Sequence, residues 1–566
     1  MKIIHKVGKF ELKKESEGNL LLSNSKKGFL NLGCANSKYQ GLFFFDEEVY
    51  KILEEIKIDG EVKEITNEIF KVKRNKSATE SYFLPKNFNS LVYELSSIKE
   101  AELIFDIRKA YEMNEFGRDY KISKNNNKII VECNGMFVVI GNVKNFIKNE
   151  KWIKYTYSQD QKRNSKPYAW YVFSALKVKT KKLVITAYKN KEKAINENNL
   201  VLKTLNKIKK NEESSIKILN KTKKNTAYNL AVNSLNNLLI EEGILAGLPW
   251  FFQIWTRDEM ISLKALTQIG EEQYAKKILM KRLTMINDNG RLPNRIPHAN
   301  LDSADSIGWM FLRFNDVLKL MNKKEKNLLE IKIKQTIEIL INKYNKNGFF
   351  VNDKKETWMD TDYGDDFRKG SRIEIQALMI AIYELAFKLT KQVIYQKLRN
   401  SLITNVRNKM FHNGYLKDGV DDSIIRPNIF IAYYVCPMLL SKKEWEKCFK
   451  ISLEKLWLEW GGISTIDKKH PLFTLNYTGE NNQSYHRGDA WYWLNNMAAI
   501  CLNRVNKKKF KKYINKIYSA SEKDILWQGA IGSSSEISSA FHQTSDGCLN
   551  QAWSNAMFIE LFNELK

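Results

Sequence analysis

The chain has 566 residues, of which 43% are hydrophobic and 12% aromatic, a composition that favours a globular protein and argues against disorder. This length exceeds what one ordinary hydrophobic core accommodates, so two domains are expected. The formal net charge of +28 comes from lysines spread along the whole chain, without a basic motif that interleaves aromatic residues. We therefore interpret the charge as a solvated lysine surface rather than a nucleic-acid site.

The sequence pattern predicts neither a membrane span nor a metal site. The sequence contains no apolar stretch of 18 residues, which predicts no membrane span, and charges interrupt the first seven residues before a secretory signal can form. A cytoplasmic location is therefore expected. The six histidines lack ligand spacing, and the six cysteines form no Cys-x-x-Cys pair, so we predict no disulfide framework, no metal site and no cofactor. The cysteines are Cys34, Cys133, Cys436, Cys448, Cys501 and Cys548.

Residues 1–190 have the pattern of β-strands. Residues 128–133 and 136–140 are apolar runs separated by Asn134-Gly135, a dipeptide typical of a tight hairpin turn. Residues 170–173 and 182–187 are further β-rich runs. We predict an N-terminal antiparallel β-sandwich domain over 1–190, followed by a linker or connecting helix over 191–223, where Lys, Asn and Glu are abundant.

From residue 224 to 566 the apolar residues recur with helical periodicity. The predicted helices cover 226–242, 257–269, 272–287, 303–322, 325–345, 371–389, 392–409, 427–438, 442–459, 486–503, 507–522 and 548–564. Twelve helices without a notable strand predict six helical hairpins closed into an (α/α)6 barrel. The connections entering even-numbered helices are mostly long and rich in Trp, Tyr, Arg, Asp, Gly and Pro. In such a barrel they emerge at one end, where a functional site is expected.

The composition of these loops is suited to binding a sugar, because aromatic rings stack on pyranose faces while Asp, Arg, Asn and Gln bind hydroxyl groups. Seven of the thirteen tryptophans lie in these loops or in the first helical turns after them, either as sugar contacts or as caps on the barrel core: Trp250, Trp255, Trp309, Trp358, Trp491, Trp493 and Trp553.

Hydrolysis of a glycosidic bond needs one protonated and one ionised carboxyl group. Asp360 follows Trp358 and Met359, and this partly apolar setting favours a raised pKa and the role of acid. Glu536 precedes the last inner helix and faces the Asp360 loop across a six-pair ring, although the sequence pattern alone does not single it out as the partner.

Four segments in order resemble the glucosidase domain of archaeal and bacterial glycogen debranching enzymes: Trp255-Thr256-Arg257-Asp258, Thr357-Trp358-Met359-Asp360, Tyr485-His486-Arg487-Gly488 and Gln551-Ala552-Trp553-Ser554. The resemblance spans about 240–566, and the first element is also similar to glucoamylases, which have an (α/α)6 barrel. The N-terminal half is similar more loosely. There, Lys38-Tyr39-Gln40-Gly41 replaces the usual Lys-Tyr-His-Gly, which puts a role of that domain in substrate binding in doubt.

The resemblance implies amylo-α-1,6-glucosidase activity with inversion at the anomeric carbon. It makes Asp360 the general acid and Glu536 the general base. Should Glu536 not be the base, Glu374 is our next candidate. The predicted substrate-binding residues are Trp255, Arg257, Asp258, Asn294, Arg295, Asp305, Trp358, Arg372, Glu374, His486, Arg487, Gln551 and Trp553.

The expected partner is a branched α-glucan, glycogen or a limit dextrin, with no nucleic acid or membrane. Three alternatives stay open: a glucoamylase-like α-1,4-glucosidase, a non-catalytic polysaccharide-binding relative, and a nucleic-acid-binding protein supported by charge alone. The sequence leaves undecided whether a 4-α-glucanotransferase activity accompanies the glucosidase, and no second catalytic constellation is apparent in residues 1–220.

Overall fold

The computed structural model describes residues 1–7, 10–33, 36–219, 225–297 and 302–566. The chain divides into two compact units. The first unit comprises Met1–Glu241 with Asp524–Ser533, and the second comprises Glu242–Lys523 with Ser534–Lys566. The short segment 524–533 joins the first unit through contacts such as that between His5 Nε2 and the Leu526 carbonyl oxygen, at 2.6 Å. The boundaries expected from sequence at 190 and 223 stay predictions.

The first unit is built mainly from strands. They are β1 Lys2–Val7, β2 Phe10–Glu15, β3 Leu20–Ser23, β4 Phe29–Leu32, β5 Gly41–Asp46, β6 Glu48–Lys57, β7 Glu64–Asn67, β8 Lys71–Asn75, β9 Thr79–Phe83, β10 Ser90–Lys109, β11 Lys121–Asn125, β12 Lys128–Cys133, β13 Met136–Gly141, β14 Phe146–Thr156 and β15 Ala169–Tyr188. The predicted hairpin joins β12 to β13, and both Asn134 and Gly135 have positive φ (50° and 74°), as its tight turn requires.

Two strands of 20 residues, β10 and β15, organise this unit. They pair with each other. On its other edge, each of them pairs with one strand along its first half and with a second strand along its second half, because bulges interrupt β10 between Glu94 and Lys99. The sheet has two arms. One runs from β11 through β15 and β10 to β2, and the other branches from β10 through β6, β5 and β4 to β3. A single core cluster takes side chains from both arms, which gives a β-sandwich.

Helix α2 (Lys191–Leu219) follows the short helix α1 (Ser158–Lys162) and packs on this sandwich. Val201 and Leu205 join a buried cluster with strand residues, and the Asn198 side-chain amide donates to the carbonyl oxygens of Val139 and Val184. The segment predicted as a linker or connecting helix over 191–223 is therefore helical through Leu219, while residues 220–223 lie outside the described part of the chain. Helix α3 (Thr226–Asn236) also groups with the first unit.

Helices dominate the second unit. They are α4 Thr256–Ile269, α5 Glu272–Leu283, α6 Ser306–Val317, α7 Lys323–Tyr344, α8 Ile373–Thr390, α9 Val393–Met410, α10 Asn428–Val435, α11 Lys442–Leu456, α12 Tyr492–Trp527 and α13 Ala552–Leu565. Helix α12 breaks at Asn506, whose φ and ψ of −159° and 86° are not helical. The break falls between the two helices predicted at 486–503 and 507–522, so each of the twelve predicted segments contains a helix.

The inner helices form a closed ring. Neighbouring pairs α4–α6, α6–α8, α8–α10 and α13–α4 are in contact. The Cys501 thiol of α12 donates to the Phe430 carbonyl of α10, and the Trp493 ring of α12 stacks on Trp553 of α13. Helix α10 is buried on all sides, whereas the outer helix α7 buries one stripe that includes Leu329 and Ile333. The predicted fold class, a β-sandwich followed by an (α/α)6 barrel, is confirmed.

Short antiparallel ladders join the loops in front of the inner helices, which the sequence pattern did not predict. Three of them pair Gly247–Leu248 with Asn550–Gln551, Ile254–Trp255 with Arg295–Ile296, and Ala490–Trp491 with Ile537–Ser538. These ladders bring the loops before α4, α6, α12 and α13 together at one end of the barrel. Among the described helices, none combines the length and apolarity needed to cross a bilayer.

Candidate active site

Asp360 lies in the loop before α8 and is held from the first turn of α4. The Arg257 guanidinium donates from Nη1 to Asp360 Oδ2 at 3.2 Å. Arg257 Nε lies 2.8 Å from both carboxylate oxygens of Asp305, which precedes α6. Because the guanidinium is planar and buried, this double contact fixes the direction in which its remaining donors point. Three predicted site residues from three loops are thus brought together.

The surroundings of Asp360 raise its pKa. Burial among protein groups is the largest cause, and the positive charge and hydrogen bond of Arg257 partly offset it, while the negative charge of Asp305 adds to the increase. The side chain nevertheless keeps 25% of its surface exposed. A carboxyl group with a raised pKa that remains accessible has the properties required of a general acid.

Glu536 is held at both oxygens by hydrogen-bond donors. The Tyr485 hydroxyl donates to Oε1 at 2.5 Å, and the Cys548 backbone N–H donates to Oε2 at 2.7 Å. A Cβ atom on Gly547 would lie 2.3 Å from Oε2, so only glycine permits this close approach, and its φ of +66° is in the region that favours glycine. Two donors to one carboxylate stabilise its ionised form and fix its orientation, as a general base requires.

The charges of Asp360 and Glu536 act on the same neighbouring side chains. Burial is the main cause of the raised pKa of Tyr485, and the charges of Glu536 and Asp360 both raise this pKa further. The pKa of Asp258 is likewise raised by burial first, then by Glu536 and Asp360, while Gln551 donates to its Oδ1 at 3.0 Å. Asp258 is therefore influenced by both carboxyl groups at this end of the barrel.

The tryptophans divide into two groups. Trp358, Trp491, Trp493 and Trp553 are buried and pack on one another, with the rings of Trp493 and Trp553 stacked at 4.7 Å. The Trp358 indole N–H also donates to Asn428 Oδ1 at 2.7 Å. These four side chains cap the barrel core, which is the alternative that the sequence left open, and Trp309 is buried as well.

Trp250 and Trp255 instead remain partly exposed. The ladder between 254–255 and 295–296 places Trp255 beside the predicted residues Asn294 and Arg295, and the Arg295 guanidinium carbon lies 5.8 Å from the centre of the Trp255 ring. Of the three tryptophans predicted to bind substrate, Trp255 is the one with ring surface available to a sugar.

Replacement of Trp553 by alanine should therefore lower the free energy of unfolding by about 3–5 kcal/mol, because it opens a cavity in the aromatic cluster. The matched control is Trp255→Ala, which should cost less stability and mainly raise KM. Urea unfolding and steady-state kinetics separate the two effects. Equal losses of stability in the two variants would contradict this division of the tryptophans.

The His486 imidazole lies between the aromatic cluster and the Asp360 loop. It stacks on Trp491 with an interplanar angle of 12°, and its Nδ1 is 2.8 Å from the Thr361 hydroxyl. Burial and then the neighbouring arginines lower its pKa well below the ordinary value, so the ring is neutral near pH 7. A neutral imidazole suits hydrogen bonding to a hydroxyl group better than pairing with a carboxylate.

Three other predicted residues form ion pairs with neighbouring side chains. Both Glu374 oxygens accept from Arg368, at 2.7 and 3.0 Å, and Arg372 pairs with Asp418 and Asp422. The Arg487 guanidinium binds Asp366 at 2.7 Å and donates to the carbonyl oxygen of Thr361. These contacts fix the loops that carry the site, and a direct role of the three side chains in substrate binding stays a prediction.

Sequence reasoning missed Tyr485, Arg368, Asp418 and Arg426. Arg368 and Asp418 are buried and form a paired salt bridge, with contacts of 2.8 and 3.0 Å, and Asp418 also accepts from Asn428. Tyr485 stood inside one of the four recognised motifs, so its position was available as a signal. Arg368 has one partner, Glu374, six residues away, but its second partner Asp418 lies 50 residues away, and Arg426 pairs with Asp366, 60 residues away. No local pattern identifies these long-range pairings.

Several predicted residues present buried polar atoms for which the described residues supply no partner. These atoms are Trp255 Nε1, Asn294 Oδ1, Arg372 Nε, His486 Nε2, Gln551 Oε1 and Trp553 Nε1. Buried polar atoms normally have a partner, so those beside the carboxyl groups are candidates to bind substrate hydroxyls or water. Within the described part of the chain, no three His, Cys, Asp or Glu side chains converge as a metal site requires.

Solved structures match this architecture. A bacterial glucoamylase complexed with acarbose has a TM-score of 0.65 at 14% identity, covering 97% of this chain and 95% of that chain. A wild-type glycosidase has a TM-score of 0.45 at 12% identity, covering 60% of this chain and 97% of that chain. The first likeness defines a glucoamylase-like fold with an (α/α)6 barrel. No match is found among curated proteins.

The sequence family described as amylo-alpha-1,6-glucosidase matches residues 231–560, more than half of the chain. The chain belongs to this family and is a glycoside hydrolase by class. The match confirms the resemblance inferred from the four sequence motifs.

Proposed function

We propose that this protein removes α-1,6-linked glucose from branch points of an α-glucan such as glycogen or a limit dextrin, with inversion at the anomeric carbon. The observation that carries the proposal is the pair of carboxyl groups in unlike environments at one end of the barrel. Asp360 has a raised pKa and is accessible, while both Glu536 oxygens accept hydrogen bonds. Membership of the amylo-alpha-1,6-glucosidase family supports the linkage.

In the proposed reaction the Asp360 carboxyl donates its proton to the glycosidic oxygen as the bond from that oxygen to the anomeric carbon breaks. A water molecule attacks the anomeric carbon from the opposite face, and the Glu536 carboxylate accepts a proton from this water. The products are free β-glucose and the shortened glucan. In this proposal Asp258 and Arg257, both buried at the first turn of α4, bind glucose hydroxyls, and the hydrogen bond from Gln551 orients Asp258.

The linkage specificity can be tested directly. We expect glucose release from a limit dextrin carrying single-glucose α-1,6 stubs to be well above release from linear maltooligosaccharide, with free glucose measured from each substrate. Comparable rates on the two substrates would instead assign the protein to the glucoamylase-like alternative, an α-1,4-glucosidase. Binding of both substrates without glucose release would favour a non-catalytic polysaccharide-binding protein. The cytoplasmic location stays a prediction.

A further inference from the structure

The second unit exposes few large aromatic side chains. In its described residues, only Tyr363 and Phe541 among Phe, Tyr and Trp are exposed, at 37% and 63%. Tyr363 lies three residues after Asp360, and Phe541 lies five residues after Glu536. The other large exposed apolar residues of this unit, apart from Leu475, are Ile331, Val393, Ile394 and Met438, on or beside the outer helices. The two most exposed aromatic side chains in the described part of this unit thus lie on the loops that carry the two carboxyl groups.

Phe541 lies against Leu475, which is itself 44% exposed. The Phe541 N–H and the Ser539 hydroxyl both donate to the Leu475 carbonyl oxygen, at 3.0 and 3.1 Å. The Phe541 loop is further fixed by the Trp460 indole, which donates to the Ser539 carbonyl, and by Ala540, which is buried in a cluster with Trp460. The loop therefore holds its apolar side chains outward on a fixed backbone. We call Phe541 and Leu475 the outer platform.

The outer platform is continuous with the candidate active site. Thr474, next to Leu475, donates from its backbone N–H to the Arg487 carbonyl at 2.6 Å, and a Cβ atom on Gly488 would lie 1.8 Å from the Thr474 carbonyl oxygen. Thr478, three residues beyond Leu475, donates from its backbone N–H to the Ser484 hydroxyl at 3.0 Å, and Ser484 directly precedes Tyr485, whose hydroxyl donates to Glu536. Surface exposure thus increases from buried Glu536 through partly buried Tyr485 and Tyr477 to the platform.

We propose that the outer platform binds the glucan main chain that carries the scissile glucose, by contact of the Phe541 ring with pyranose faces. This proposal rests on the proposed function and adds the polymer-binding part of the site. The proposed reaction puts the terminal glucose between the two carboxyl groups, so a longer chain must leave the site along the loops at the mouth of the barrel end. An exposed aromatic ring on a fixed backbone at this mouth supplies apolar contact at low entropic cost.

Phe541→Ala should lower kcat/KM on a branched limit dextrin by about three- to tenfold, as expected for the loss of one aromatic contact, and should leave kcat/KM on isomaltose within about twofold, because isomaltose is too short to reach the platform. Phe116→Ala is the matched control, since Phe116 is 69% exposed on the first unit, and it should change neither value. An unchanged dextrin value, an equal loss on both substrates, or the same loss in Phe116→Ala would overturn the proposal.

Binding gives a second readout that does not depend on hydrolysis. In native gels containing glycogen, Glu536→Gln protein should be retarded, and the retardation should decrease when Phe541→Ala is added but not when Phe116→Ala is added. Equal retardation of all three proteins would overturn the platform. If the wild-type enzyme released no glucose from α-1,6 substrates, the proposed function would fail, and the gel result would still decide whether the platform binds glucan.

Discussion

Replacement of Asp360 by asparagine should lower kcat on limit dextrin by roughly 10²–10⁴-fold, the contribution that a positioned general acid makes. Asparagine keeps the size of the side chain, and its amide oxygen can still accept from Arg257 Nη1. It cannot transfer a proton to the glycosidic oxygen, so the expected loss lies in the chemical step, with little change in KM. Steady-state kinetics on purified protein with an unchanged unfolding midpoint give the test.

Asp362→Asn is the matched control for this substitution, because Asp362 lies in the same loop but is exposed and pairs with Lys355. It should retain activity within about twofold, as surface changes usually do. A second control is α-glucosyl fluoride, whose fluoride leaving group departs without a proton. Asp360→Asn should hydrolyse this substrate at close to the wild-type rate. Wild-type activity of Asp360→Asn on limit dextrin, or a failure to recover on the fluoride, would contradict the role of Asp360 as acid.

The role of Asp360 as general acid also determines whether kcat/KM rises or falls with pH. The general acid works in its protonated form, which is lost as the pH rises through its pKa. Burial raises the pKa of Asp360 above the ordinary carboxyl range despite the opposing charge of Arg257. The alkaline limb of kcat/KM on limit dextrin therefore reports this raised pKa, and the alkaline limb should be absent in Asp360→Asn acting on α-glucosyl fluoride.

Local patterns predicted the elements of the fold well. The turn between β12 and β13 follows from Asn134-Gly135, because these residues adopt positive φ at low cost. The helical segments, including the break at Asn506, follow from the apolar periodicity of the barrel, where each inner helix must bury all its faces and each outer helix one stripe. In both cases the signal and the structure it specifies lie within a few residues of each other.

Non-local contacts could not be predicted in the same way. The parallel pairing of β1 with β7 and the grouping of Asp524–Ser533 with the first unit join segments far apart in the sequence. The ion pairs Arg368–Glu374 and Arg372–Asp418 were likewise not predicted, because the sequence does not show which of the charged side chains in these loops face one another. Sequence composition placed these side chains in the correct loops but did not give the direction in which they point.

Glu536→Gln should lose activity by a similar factor, roughly 10²–10⁴-fold, because glutamine cannot accept a proton from the attacking water. The control Glu480→Gln, at an exposed position of a neighbouring loop, should be close to wild type. Full activity of Glu536→Gln would contradict its role as base.

Glu374→Gln should act differently. Both Glu374 oxygens accept from buried Arg368, so the main effect of this substitution should be a loss of stability of about 3–5 kcal/mol.

The stereochemical course separates the proposed mechanism from a retaining one. In an inverting enzyme a water molecule stands between the base and the anomeric carbon, so the Asp360 and Glu536 carboxyl oxygens should be roughly 6.5–9.5 Å apart, and β-glucose should appear first from an α-linked substrate. Proton NMR of the initial product measures this anomer before mutarotation. Unlike Asp360→Asn, Glu536→Gln should stay inactive on α-glucosyl fluoride, because water must still be activated when the leaving group needs no proton. Initial release of α-glucose would mean that Glu536 attacks the sugar directly, which requires carboxyl groups only about 5 Å apart.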